Sequence, residues 1–231
     1  MALKTIGLIG GMTWESTEIY YRLINRAVQQ RLGGMHSANI VMRSLDFTEP
    51  ELLARTGQWD ALAELFVDIA RDLQRAGADI LVVCANTAHR VAEQVEAAIS
   101  IPLVHICDCT AAKINADGLK RVVLLGTAYT MEEDFFTHRL RSHGVDVFVP
   151  EAADRATIHR VIFEEILLGR LEEKSRQAYR EIIARQVANG AEGVILGCTE
   201  IPLLIKQADS PVPLYDTTEL HALAAVDFAL Q

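Results

Sequence analysis

The tetrapeptide Gly197-Cys198-Thr199-Glu200 follows the short apolar run Val194-Ile195-Leu196. A thiol at the carboxyl end of a buried strand, where a helix starts, gains thiolate character from backbone N–H groups and can act as base or nucleophile. Packing is the competing reading, because free cysteine is among the most buried residue types. Asn86-Thr87 follows a similar run, Ile80 to Cys84, and either caps a helix or binds a ligand. His89, one turn on, reads as a packed or solvated histidine before it reads as a proton donor. Gly10-Gly11-Met12-Thr13 would let backbone N–H groups approach an anion, but its glycines miss G-x-G-x-x-G and give no basis for a nicotinamide cofactor. Cys107 and Cys109 lack a second ligand pair at zinc spacing and read as structural thiols, so no metal is expected. For His159 the sequence leaves open whether the ring meets ligand or solvent.

These residues need strands that end beside one another. Apolar runs predict strands over 4–10, 39–45, 80–84, 102–106, 121–126, 145–149, the stretch after Gly190, and 213–215. Helical spacing predicts helices over 14–31, 59 to just before Gly77, from a cap at Asn86-Thr87 to about Ala98, 131–142, 155–168, 172–187 and 218–230. Residues 46–57 are polar, contain Pro50, and read as a loop that could cover a site. Alternating strands and helices imply a parallel α/β architecture.

The 231 residues are half hydrophobic and 23% charged, enough for a substantial core. A formal net charge of -9 offers no footprint for nucleic acid or an anionic membrane. No run reaches the roughly 18 apolar residues of a membrane span, and the stretch from Met1 to Met12 lacks the layout of a signal peptide. A cytoplasmic protein acting on a small molecule is the expectation.

The chain also repeats itself. Residues 74–87 match 187–200, 4–10 match 120–126, and the Pro-Leu pair at Pro102 recurs at Pro213. Two α/β halves are expected, 1–102 with 213–231 and 103–212, related by a pseudo-twofold axis with the active site in the cleft between them. In the gapless match the counterpart of Cys198 is Ala85, while Cys84 should face the other side of its strand.

Together Gly10-Gly11-Met12, Asn86-Thr87-Ala88-His89 and Gly197-Cys198-Thr199-Glu200 resemble the aspartate/glutamate racemase family over essentially the whole chain. That resemblance implies a cofactor-independent homodimeric racemase, in which two cysteines on opposite faces of the substrate exchange its α-proton. It also implies substrate contacts from Met12, Thr13, Asn86, Thr87, Thr199 and Glu200, with Cys198 as one acid/base. Where many members carry a cysteine before Asn-Thr, this chain has Ala85, and a methyl group handles no proton. Three accounts stand side by side. Ala85 is natural, with water, Thr87 or His89 serving the second face; or it is a substitution made to trap substrate; or one thiol works alone, as in the related arylmalonate decarboxylases. An amino-acid racemase with impaired or asymmetric turnover is the leading expectation, and a catalytically silent amino-acid-binding protein is the alternative from another class.

Overall fold

Every pairing among the described strands is parallel. The computed structural model describes residues 3–231; Met1 and Ala2, at the head of the N-terminal stretch weighed above, lie outside the described residues. In chain order the elements are β1 (Thr5–Gly10), α1 (Trp14–Leu32), β2 (Asn39–Ser44), α2 (Thr48–Arg55), α3 (Trp59–Arg75), β3 (Ile80–Val83), α4 (Ala92–Ala98) and α5 (Ile106–Ala116). They continue as β4 (Arg121–Gly126), α6 (Ala128–Glu132), α7 (Asp134–Ser142), β5 (Asp146–Phe148), α8 (Ala152–Glu164) and α9 (Glu173–Ala188). The chain closes with β6 (Gly193–Gly197), α10 (Ile201–Leu204), β7 (Leu214–Asp216) and α11 (Thr217–Ala229). A 3-10 turn, Thr87–Val91, links β3 to α4.

The chain forms two compact units. One runs to Ile106 and resumes over Thr218–Gln231; the other is Cys107–Thr217. In the first, the sheet order is β2-β1-β3. The two-residue period of a strand sends Ile6, Leu8, Ile80, Val82 and Cys84 to one face, against Tyr20, Ile24 and Val28 of α1 and Ala222, Ala225 and Val226 of α11. Ile9, Leu81, Val83 and Ala85 take the other face, against Phe66, Ile69 and Leu73 of α3 and Val95 of α4. Residues apolar on both faces suit a parallel sheet covered by helices on each side. A fully buried side chain such as Phe66 contributes about 1.5–3 kcal/mol.

In the second unit the order is β5-β4-β6-β7, so β5-β4-β6 repeats β2-β1-β3. Val122 to Leu125 of β4 and Val194 to Leu196 of β6 are buried throughout. Helices α6 and α8 pack on β4, α7 on β5, and α9 on α8.

Five sequence expectations differ from the structure. Residues 46–57 are not a loop: Thr48–Arg55 is helix α2, and Pro50 sits in its first turn, where its missing N–H has no intrahelical partner to lose. The run 102–106 forms only a bridge, Leu81 to Leu103, before α5 begins at Ile106. The helix expected over 131–142 is two, broken at Glu133, whose backbone is extended. The units divide after Ile106 and Thr217, where the sequence placed the divisions after residues 102 and 212. The strand near 213–215 was assigned to the first half, but β7 pairs with β6 in the second sheet.

Candidate active site

Strand β6 is buried along its whole length between β4 and β7 and delivers the chain into Cys198-Thr199-Glu200 at its carboxyl end. Parallel α/β sheets present ligand-binding residues at such ends. The Cys198 thiol donates to Glu200 Oε2 at 3.0 Å, and the Thr199 hydroxyl donates to the same oxygen at 2.7 Å. All three residues are buried. The following helix, α10, is a single turn, with Pro202 at its start.

In the resting site the surroundings of Cys198 oppose the thiolate form. Burial pushes the thiol well above its ordinary range, the negative charge of Glu200 and its hydrogen bond push it further, and the Glu200 and Ile201 N–H groups pull back too little. One helical turn carries little macrodipole, so desolvation wins.

The neighbouring strand end, that of β4, carries a residue that the repeat did not single out. Gly126 pairs with Gly197, and Thr127 follows it as the buried N-cap of α6, its Oγ1 accepting from Thr130 N at 3.4 Å. The match of 4–10 to 120–126 stopped one residue short of it; extending that match past the strand would have been the signal. His159 lies on α8, where its Nδ1 accepts the Ala128 N–H at 3.1 Å and burial lowers its pKa. It serves the start of α6.

In the first unit, β1 and β3 are neighbours, and their ends bring Gly11-Met12-Thr13 and Ala85-Asn86-Thr87 onto one edge. Thr13 caps α1, its Oγ1 accepting from Ser16 N at 3.3 Å. Met12 is buried in the core, and the Met12–Thr13 peptide is cis. The glycine loop does not offer the anion cradle that the sequence suggested. The Gly11 N–H donates to Thr17 Oγ1 at 2.8 Å, and a Cβ on Gly11 would lie 2.2 Å from Leu45 O. The glycine admits the chain after β2, not a ligand.

Ala85 is buried on the face with Val83, and Cys84 on the opposite face with Val82. Burial raises the Cys84 thiol far above its ordinary range. Asn86 is 4% exposed, and neither Oδ1 nor Nδ2 has a hydrogen-bond partner. Buried amides are rarely left so, and each orphaned group costs about 1–3 kcal/mol. Thr87 is half-buried on the 3-10 turn.

His89 is not free to shuttle protons. Its Nε2 accepts the Ile106 N–H at 3.3 Å, which leaves the Nδ1 proton directed at Ala85 O, 2.8 Å away. The ring packs edge-on against His105 and His221, and His221 bonds Tyr20 and Val104 O. This cluster was invisible to the sequence reading, since its members lie up to 201 positions apart. Cys107 is buried and Cys109 partly so. Among the described residues no group of three His, Cys, Asp or Glu side chains is placed to hold a metal ion, and no helix is long and apolar enough to cross a membrane.

Comparison with known proteins places this geometry. The family model for Asp/Glu/Hydantoin racemase matches residues 9–225. A structure of a candidate Asp/Glu racemase from Yersinia pestis is 50% identical, with a TM-score of 0.95 over 99% of this chain and 100% of that one. An aspartate racemase homologue from Pyrococcus horikoshii OT3 is 35% identical, with a TM-score of 0.88 over 99% of this chain and 100% of that one. Among curated proteins, a broad specificity amino-acid racemase of Bacillus subtilis (strain 168) is 23% identical over 96% of both chains. The match across nearly the whole chain, with strand ends that carry a thiol, a carboxylate and an unpaired amide, shows that the chain belongs to the Asp/Glu/hydantoin racemase family and is an isomerase.

Proposed function

We propose that this protein is an amino-acid racemase needing no pyridoxal phosphate, acting on aspartate- or glutamate-type substrates, with Cys198 removing or returning the α-proton. The observation that carries this reading is the buried Cys198–Glu200 pair at the end of β6, a thiol aimed at a carboxylate where a core would hold apolar groups. The α-proton of an amino acid is weakly acidic, so the developing carbanion needs hydrogen-bond donors around the substrate carboxylate. The unpaired Asn86 amide suits that role. Thr87, Thr199 and Thr127 supply hydroxyls, Glu200 an acceptor for the substrate ammonium, and Met12 and Thr13 contribute from the loop after β1. Ala85, which the repeat pairs with Cys198, provides no second thiol, so turnover is impaired or asymmetric. The protein works as a homodimer in the cytoplasm; light scattering of the purified protein at the mass of one chain would refute the dimer.

The test is α-proton exchange in deuterated water over a panel of D- and L-amino acids, followed by NMR. Exchange that disappears in Cys198→Ala supports the reading. Lack of exchange with every member of the panel overturns it. Ala85 also favours single-thiol chemistry of the decarboxylase kind, and carbon dioxide release from a malonate-type substrate without amino-acid exchange would establish that instead.

A further inference from the structure

A cavity in the second unit is lined by groups that the proposed reaction does not use. It has a volume of about 490 Å³, in the range of small-molecule sites, and is walled by Arg121 of β4, Phe148 at the end of β5, Glu151 and Arg155 at the start of α8, and Arg185 and Gln186 near the end of α9. All of them belong to the Cys107–Thr217 unit. Arg121 opens β4 and Gly126 closes it, so about 16 Å of strand separates Arg121 from the edge that carries Thr127 and Cys198.

Gln186 is the feature that points to a ligand. Its side chain is only 4% exposed, it lines the cavity, and no hydrogen bond joins its amide to any described residue. Buried amides are nearly always paired, and here the cavity is the side from which a partner can come.

Three guanidinium groups share that cavity, each fixed on one edge with donors left on another. Arg155 donates from Nε to Glu132 Oε1 at 2.9 Å and from Nη1 to Pro150 O at 2.8 Å, which leaves Nη2. Arg185 donates from Nε and Nη2 to the Asp154 carboxylate, at 3.3 and 2.7 Å, which leaves Nη1. Arg121 meets Asp146 Oδ2 only at 3.5 Å, and its guanidinium lies over the Phe148 ring, 4.9 Å from the centroid. Helix α8 starts beside them after Glu151, and no side chain caps its first N–H groups. With Glu132, Asp146, Asp154 and Glu151 close by, the local charge is near balance, so affinity must come from directed N–H donors rather than from a broad positive field.

We propose that this cavity binds a small phosphate ester. Donors on β4, α8 and α9 suit the three outer oxygens of a phosphate better than the two of a carboxylate, and a fixed guanidinium is the group that matches phosphate geometry. The Gln186 amide and the Glu151 carboxylate take the hydroxyl groups of the ester. The site stands on the second unit alone and does not depend on the racemase reading.

The test is a calorimetric titration of the full chain with glycerol 3-phosphate, at about 0.15 M salt so that diffuse attraction is screened. Saturable binding with Kd below about 5 mM is expected, at least about fivefold tighter than for inorganic phosphate. No saturation in that range overturns the proposal, and equal affinity for the two probes means an adventitious ion only and overturns it as well. Arg121→Gln, at an exposed strand start, and Gln186→Leu should each weaken binding about tenfold or more. Gln186→Leu should also keep or raise Tm, because it removes an unpaired buried amide, which separates lost binding from lost folding. Affinity unchanged in both variants, lost in Cys198→Ala, or competed away by L-aspartate puts the anion at another site and overturns the proposal.

Discussion

Asn86 gives a prediction in which stability and function move in opposite directions. Its amide is sealed from solvent with both polar atoms unpaired. At the low end of about 1 kcal/mol for each orphaned group, the side chain costs the unliganded protein about 2 kcal/mol. Leucine reproduces the branched outline of asparagine without polar atoms, and the backbone at residue 86 is right-handed helical, which leucine adopts freely. Asn86→Leu should therefore stabilise the unliganded protein by about 2 kcal/mol. For a chain of 231 residues this is a rise in Tm of about 4–8 °C, measured by calorimetry at one scan rate. The same variant should lose about 10- to 100-fold in kcat/KM for α-proton exchange, the worth of hydrogen bonds to a charged substrate. A variant that is less stable than the wild type and exchanges substrate at the wild-type rate would refute the reasoning, and would make the amide a structural group.

Ala85→Cys or Ala85→Thr should raise full racemisation relative to exchange with retention, followed by chiral chromatography; an unchanged ratio would remove Ala85 from the mechanism. Gly11→Ala should cost more than about 2 kcal/mol in denaturant titration, since φ at residue 11 is +93° and the new Cβ would meet Leu45 O at 2.2 Å. Asp209 is buried, which raises its pKa, but the Lys206 N–H and the Arg180 and Arg176 guanidinium groups outweigh this and hold the carboxyl below its usual value. Stability from a lowered pKa is present above the unfolded value near pH 4 and is lost as pH falls through the folded one. Asp209→Asn should cost about 1.5 kcal/mol at neutral pH, the low end for hydrogen bonds to a charged group because the Arg180 and Arg176 side chains are partly exposed, with the gap to wild type closing below about pH 4 in denaturant midpoints.

What the sequence disclosed depended on period and locality. The register of β3 was readable because alternate residues take opposite faces: Cys84 and Ala85 were expected on opposite sides of the strand, and the structure divides the two between separate cores. Helix α2 was hidden because proline and acidic residues mark loops as readily as first helical turns. The 102–106 run reads as strand in isolation; Leu81 bonds to Pro102 O and Val104 N, and the pairing goes no further. The Cys198–Glu200 hydrogen bond needed only two residues of separation, yet a sequence cannot say which way a thiol points. The histidine cluster needed contacts across the whole chain, which no local pattern encodes.

The discontinuity of the first unit bears on how the chain acquires its structure. Its second sheet-covering layer needs Ala222, Ala225 and Val226 of α11, which leave the ribosome after all of Cys107–Thr217 has been made. During synthesis the inserted unit can complete its own sheet first, while β1, β2 and β3 wait with one apolar face covered by α1 alone. A ribosome-stalled chain ending at residue 217 and followed by a linker long enough to clear the exit tunnel should therefore hold a protease-resistant second unit beside a first unit more open to cleavage. Helix α11 thus acts as a late closure for strands made before the inserted unit.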